Sequence, residues 1–157
     1  SEHLMPGIRE TRELPYSREQ MFDLVADVGH YREFLPWVIA TRVRSDTEAE
    51  LVADMVVGFK AIRESFTSRV EKKRPEKLVV HYVDGPLRDL ENTWQFEELE
   101  TGGCRVHFCV DFTFKNRVFE AMAGQYFDRA FRKMVAAFET RADALYGSSS
   151  SSAQSVA

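Results

Sequence analysis

From Val38 to Phe114 apolar and polar residues alternate with a period of two, interrupted by turn-forming residues at Ser45-Asp46, Gly58, Lys72 to Pro75, Asp84-Gly85-Pro86 and Gly102-Gly103. Successive side chains of an extended chain point to opposite faces, so each run predicts a strand with one buried and one wetted face. The runs follow one another as a succession of six strands joined by hairpins. The clearest places Cys104, Val106, Phe108, Val110, Phe112 and Phe114 on one face and Arg105, His107, Cys109, Asp111 and Thr113 on the other. Leu51, Ala53, Met55, Val57 and Phe59 repeat the pattern, as do Leu90, Trp94 and Phe96.

Outside this region the period changes. Gly7 to Leu14 reads as a further strand, closed by Pro15. Ser17 and Gln20 form a capping box, in which the serine hydroxyl accepts from the Gln20 amide and the glutamine side chain reaches back. Met21, Phe22, Leu24, Val25 and Val28 follow on one face and predict a helix of about three turns. Tyr31, Phe34 and Leu35 keep helical spacing after Gly29 and predict a second, shorter helix. Pro36 stops it, because proline lacks the N–H donor and biases Leu35 toward extended geometry. From about Asn116 to Leu145 a broad apolar stripe, including Phe119, Ala123, Phe127, Phe131, Val135 and Phe138, predicts one long amphipathic helix. About thirty helical residues reach roughly 45 Å, the length of a sheet's buried face. The order strand, two helices, six strands, long helix predicts an α+β fold in which that helix covers the apolar face of an antiparallel sheet.

Composition sets bounds on this domain. With 157 residues, 44% of them hydrophobic, the chain suits one globular unit, assigned to residues 6–146. The serine-rich stretch 147–157 is low in complexity and is predicted to be a disordered tail, and Ser1 to Leu4 carries no pattern. A net charge of −4 speaks against a nucleic-acid partner, which calls for a basic stripe. No run approaches about 18 consecutive apolar residues, and the start lacks the basic-then-apolar layout of a secretory signal. A cytoplasmic protein is expected, at most peripheral at the inner membrane. Cys104 and Cys109 fall on opposite faces of one strand and are expected as free thiols, which suit a reducing compartment.

The element order resembles the helix-grip, START-like fold, in which a curved antiparallel sheet of about seven strands wraps around the C-terminal helix and leaves a tunnel between them. More narrowly, YREFLPWV from Tyr31, FTSRV from Phe66, DGPLRDLENTWQF from Asp84 and VHFCVDFTF from Val106 resemble the coenzyme Q-binding branch of the START-like, polyketide cyclase-like superfamily. The similarity spans about Arg9 to Tyr146. It implies a non-catalytic binding protein or chaperone for ubiquinone or a similar isoprenoid lipid, supporting respiratory electron transfer, with no catalytic cofactor. Some bacterial relatives carry a ribosome-association toxin label, and the superfamily includes cyclases and hydrolases. Both stand as rival readings.

The residues allow the tunnel to be populated. If Ile62, Phe66 and Val70 face inward, alternation brings Glu64 and Ser68 with them, and Asn92 falls between Leu90 and Trp94. A polar group buried without a partner costs about 1–3 kcal/mol, so each needs a local network, a water or a ligand. The plainer reading pairs Ser68 and Asn92 locally and leaves Glu64 near water beside the Gly58 hairpin. A quinone head offers only acceptor oxygens, so its recognition needs donors such as the Asn92 amide, a tyrosine hydroxyl or a histidine N–H. His81 and Tyr82 are neighbours, of which one faces inward; the run LVVHYV does not decide which. The predicted ligand contacts are Trp37, Phe59, Phe66, Trp94, Phe108, Phe112, Phe127 and Phe131 as apolar lining, with Glu64, Tyr82 and Asn92 as polar groups. Gly124, in the middle of the long helix, costs about 1 kcal/mol against alanine. It makes room either for a ligand or for close helix-to-sheet approach.

Enzyme signals are thin, with no GxSxG, Gly-rich phosphate loop, HExxH or CxxC pair, and no catalytic or metal-binding residue is assigned. His107 and Cys109 share a wet face but lie roughly 7 Å apart. Glu64 with His81 is the one acid–base pair that the enzyme reading could use. The acidic balance speaks against ribosome contact without removing it. Trp37, redirected by Pro36, is expected at the tunnel mouth, where its amphipathic ring would make transient contact with a membrane surface.

Overall fold

The structure, a computed structural model, describes residues 7–147. The predicted serine-rich tail lies outside the described residues, apart from Gly147. Strands β1 (Ile8–Leu14), β2 (Val38–Asp46), β3 (Glu50–Phe59), β4 (Ile62–Lys73), β5 (Lys77–Asp84), β6 (Leu87–Glu98) and β7 (Cys104–Phe114) form one antiparallel sheet. Its order is β1-β7-β6-β5-β4-β3-β2, so each strand from β2 onward pairs with the next and β1 returns beside the last. Helix α1 (Arg18–Ala26) links β1 toward β2, and α2 (Arg117–Ala142) lies along the concave face.

The capping box forms as expected. The Gln20 N–H donates to Ser17 Oγ at 3.1 Å, and the Ser17 N–H donates to Gln20 Oε1 at 3.0 Å. Nevertheless α1 stops at Ala26, short of three turns, and Val28 belongs to a 3-10 turn over Val28–Glu33. The expected second helix is this turn, which begins before Tyr31 and ends before Pro36, because Phe34 adopts φ −138 outside the helical region. The apolar spacing is satisfied all the same. Tyr31 and Phe34 pack edge-on against Phe138 of α2 with ring centroids 5.2 and 5.0 Å away.

Two turns are also displaced from their expected residues. Gly58 remains in the ladder opposite Arg63, and the β3–β4 reversal places Lys60 at φ 55. Ser45 and Asp46 end β2, and the chain reverses at Thr47, whose N–H donates to the Glu50 carbonyl at 2.8 Å. Gly85, in the β5–β6 turn, has φ +152, and a Cβ there would meet Tyr82 Oη at 2.8 Å and the Ser65 carbonyl at 3.1 Å. Only glycine suits that position.

Asn116 caps α2 by accepting from the Phe119 N–H at 2.8 Å. Ala123, Phe127, Ala130, Val135, Phe138 and Ala142 form the stripe it buries. Against it stand the inward residues of the sheet, among them Leu51, Leu78, Trp94, Phe96, Phe108 and Val110. Complete burial of each such side chain stabilises by about 1.5–3 kcal/mol. The register shift between Leu87 and Asp89 changes the parity of β6, so Leu87 and Leu90 are both turned toward the core. The convex face carries ion pairs such as Arg105 with Glu13 and Glu97 at 2.6 and 3.1 Å. Such exposed pairs contribute little to stability.

Candidate functional site: an apolar cavity between sheet and helix

Between the sheet and α2 lies a cavity of about 130 Å³. Its walls are built from cross-strand neighbours: Met55 lies opposite Phe66 and Ala53 opposite Ser68, while Leu78 faces Trp94 and Val80 faces Asn92. Helix α2 supplies Phe127, Ala130, Phe131 and Met134, and Val25, Val28, Tyr31 and Trp37 close the remaining side. No charged side chain lines it. The volume exists because small inward residues, Ala53, Ser68 and Ala130, stand where the neighbouring layers carry large ones.

Asn92 is 8% exposed and partnered. Its Nδ2 donates to the Cys109 carbonyl at 2.9 Å, and its Oδ1 accepts from Trp94 Nε1 at 3.0 Å. An indole N–H only donates and a carbonyl only accepts, so these two bonds fix which way the amide points. They satisfy Asn92 locally and hold the Trp94 ring, yet one Nδ2 hydrogen is left without a partner among the described residues. The Ser68 hydroxyl, also in the lining, makes no side-chain hydrogen bond among the described residues. The Tyr31 hydroxyl donates to the Val25 carbonyl, and burial pushes its pKa upward.

Of the side chains predicted to meet a ligand, Trp37, Phe59, Phe66, Asn92, Trp94, Phe127 and Phe131 come together around this cavity. Glu64, Tyr82, Phe108 and Phe112 do not line it. Glu64 faces the same side as its partner Val57 but sits past the cavity near the start of β4, half-buried. Tyr82 does turn inward, with its ring 6.0 Å from that of Phe66. Its hydroxyl is engaged twice by Leu87, donating to the carbonyl at 2.9 Å and accepting from the N–H at 2.8 Å, which ties the β5–β6 turn. Burial raises its pKa. Phe108 packs behind Trp94 at 4.8 Å, and Phe112 behind Phe131 at 5.1 Å.

His81 is directed to the convex face, 2.7 Å from Glu71 and 3.8 Å from Glu91. Glu64 and His81 therefore do not converge as an acid–base pair. His107 pairs with Glu97 at 3.2 Å, and the Cys109 thiol lies 3.9 Å from Asp111, so no thiol–imidazole contact forms. Both cysteines are free, and burial pushes the Cys104 thiol up to about 11. At Gly124 a Cβ would meet Glu120 Cγ at 3.7 Å and Phe114 at 3.9 Å, ordinary contacts that support neither expected reason for a glycine.

Sequence reasoning passed over Tyr31, Val25 and Val28, which the periodicity marks as core, and Met134 of α2. A cleft of about 260 Å³ adjoins the inner cavity and is lined by Pro36, Trp37, Gly58, Phe59, Tyr126, Arg129, Ala130 and Lys133. Trp37, Phe59 and Ala130 line both spaces and form the partition between them. Among the described residues no helix is long and apolar enough to cross a membrane.

Seven antiparallel strands curved about a long C-terminal helix, with a cavity between, define the helix-grip, START-like class of fold. A START superfamily protein from Mycobacterium smegmatis shares this architecture with a TM-score of 0.73 at 16% identity, over 88% of this chain and 98% of that one, a likeness of fold alone. The profile of the family described as polyketide cyclase / dehydrase and lipid transport matches residues 14–139, and the chain belongs to that family. Within it, the chain is 36% identical over 145 residues to the ribosome association toxin RatA of Escherichia coli K12, covering 92% of each. It is 34% identical over 142 residues to the mitochondrial coenzyme Q-binding protein COQ10 homolog B of Xenopus laevis, covering 88% of this chain and 58% of that relative.

Proposed function

We propose that the chain, through residues 6–146, is a non-catalytic carrier of an isoprenoid quinone such as ubiquinone or a closely related lipid, serving respiratory electron transfer from a peripheral position at the inner membrane. The observation that carries this reading is the cavity itself: aromatic and aliphatic walls, no charged lining residue, and donors without a partner among the described residues at Asn92, Ser68 and the Trp37 indole. Acceptor oxygens on a ring match those donors. The family's lipid-transport description and the relative named for coenzyme Q binding support the same reading.

The volume specifies how such a ligand enters. A cavity of about 150 Å³ holds one benzene ring, and here about 130 Å³ is present. A substituted quinone head with a prenyl tail needs more, so Trp37 and Phe59 must swing aside and join the inner cavity to the outer cleft. Met55 and Met134, unbranched and polarizable, allow the walls to adapt.

Native mass spectrometry of the full chain purified from its own host, followed by organic extraction, tests the proposal. A co-purified isoprenoid quinone, recovered unchanged, is expected; a polar metabolite in its place would contradict it. The relative named a ribosome association toxin favours a second reading. Co-sedimentation with ribosomal subunits at physiological salt separates the two, and no stable association is expected from a chain of net charge −4.

A further inference from the structure

One flank of α2 carries a surface that the cavity does not use. At 3.6 residues per turn, Val118, Met122, Tyr126, Arg129 and Lys133 fall on a single flank, beside the stripe buried through Ala123, Phe127 and Ala130. Val118 is 71% and Met122 57% exposed, although both are large and apolar. Tyr126 stacks on Phe59 with centroids 5.3 Å apart, and Lys60 Nζ lies 5.8 Å from the Tyr126 ring centre, so the β3–β4 turn rests against this flank. Arg129 and Lys133 border the outer cleft opposite Pro36 and Trp37.

Charge adds to this surface. Many cations of the fold are matched, among them Arg9 with Asp111, Arg44 with Asp54, Lys72 with Asp46, Arg74 with Asp23 and Arg141 with Glu33. Lys60, Arg129 and Lys133 form no ion pair among the described residues. The nearby Asp128 is held by Arg132 at 2.9 Å, and Glu120 falls on the opposite flank of the helix. Three cations without an ion pair thus lie beside exposed apolar side chains at the mouth of the cavity, in a chain of net charge −4.

We propose that this flank of α2, with the β3–β4 turn, docks on an anionic lipid bilayer and sets the cavity mouth against the membrane. The inference rests on the carrier reading for its purpose, but not for its test. Cations reach lipid phosphates while Val118 and Met122 enter the headgroup boundary, a division of labour that suits an interfacial helix. A nucleic acid would use the cations and leave those side chains idle. It would also want a free aromatic face, whereas the Tyr126 ring is already stacked on Phe59.

Flotation of the full chain with vesicles of phosphatidylcholine, with and without phosphatidylglycerol and free of quinone, provides the test. Binding is expected only where phosphatidylglycerol is present, falling as salt rises. Each cation near an anionic surface contributes about fivefold in partitioning, so Arg129→Gln with Lys133→Gln should weaken it by about 25-fold. Arg42→Gln with Lys73→Gln, on β2 and β4, should leave it unchanged, and Met122→Ser should weaken it at every salt concentration. Equal binding to both vesicle types, equal loss in the two double variants, or no vesicle binding while the chain sediments with ribosomal subunits would overturn the proposal. Because the vesicles hold no quinone, such a failure leaves quinone binding in the cavity to stand or fall by its own titration.

Discussion

Asn92 shows how one residue serves packing and recognition together. Its amide is spoken for by Cys109 and Trp94, so the local reading of a buried polar group holds, and Asn92 lines the cavity with one Nδ2 hydrogen unpartnered among the described residues. Asn92→Leu should destabilise the fold by about 1–3 kcal/mol, because the Trp94 N–H loses its acceptor inside the core. It should also weaken a quinone by about 0.5–1.5 kcal/mol more than a plain prenyl alcohol of equal length. Denaturant melts and paired titrations read the two effects separately; equal losses for both ligands would make Asn92 purely structural. Tyr82→Phe is the counterpart. It should lower stability by about 1 kcal/mol through the bonds to Leu87 and leave quinone affinity unchanged. A drop in affinity beyond that in stability would place Tyr82 at the ligand.

At the scale of elements, the strands were legible because alternation between wet and buried faces is enforced along every residue of a two-sided sheet. Boundaries were less so. The spacing of Tyr31, Phe34 and Leu35 fits a 3-10 turn as well as an α-helix, since both bring such residues to one side, and only the backbone at Phe34 distinguishes them. Gly58 looked like a turn but stays in β3, where its N–H donates to the Trp37 carbonyl at 2.9 Å and a Cβ would strike Ile39 at 2.5 Å. Gly124 is the contrary case, a helix glycine with open room. Gly124→Ala should raise stability by up to about 1 kcal/mol, seen as a higher melting temperature. A decrease would show that the contacts to Glu120 and Phe114 are tighter than their spacing implies.

For the whole molecule, the sequence carried the helix-grip order and which residues face the interior, but not how far along each strand the cavity lies. Alternation reports the face of a residue and is silent on depth, which is why Glu64, Phe108 and Phe112 were placed in a lining they stand outside. A signal was present in the small inward residues Ala53, Ser68 and Ala130, which mark where two layers fail to fill the space between them. The outer cleft depends on Arg129 and Lys133 meeting Pro36 and Trp37 across the fold, a conjunction no local pattern encodes. Trp94, with its indole fixed by Asn92 and its ring in the cavity wall, is the natural reporter of occupancy. In a Trp37→Phe background it is the chain's sole tryptophan. Titrating that protein with a short-chain ubiquinone should give saturable quenching of Trp94 emission together with a rise in melting temperature. Unchanged emission and an unchanged melting temperature up to the solubility limit of the quinone would contradict the assignment of this cavity as a quinone site.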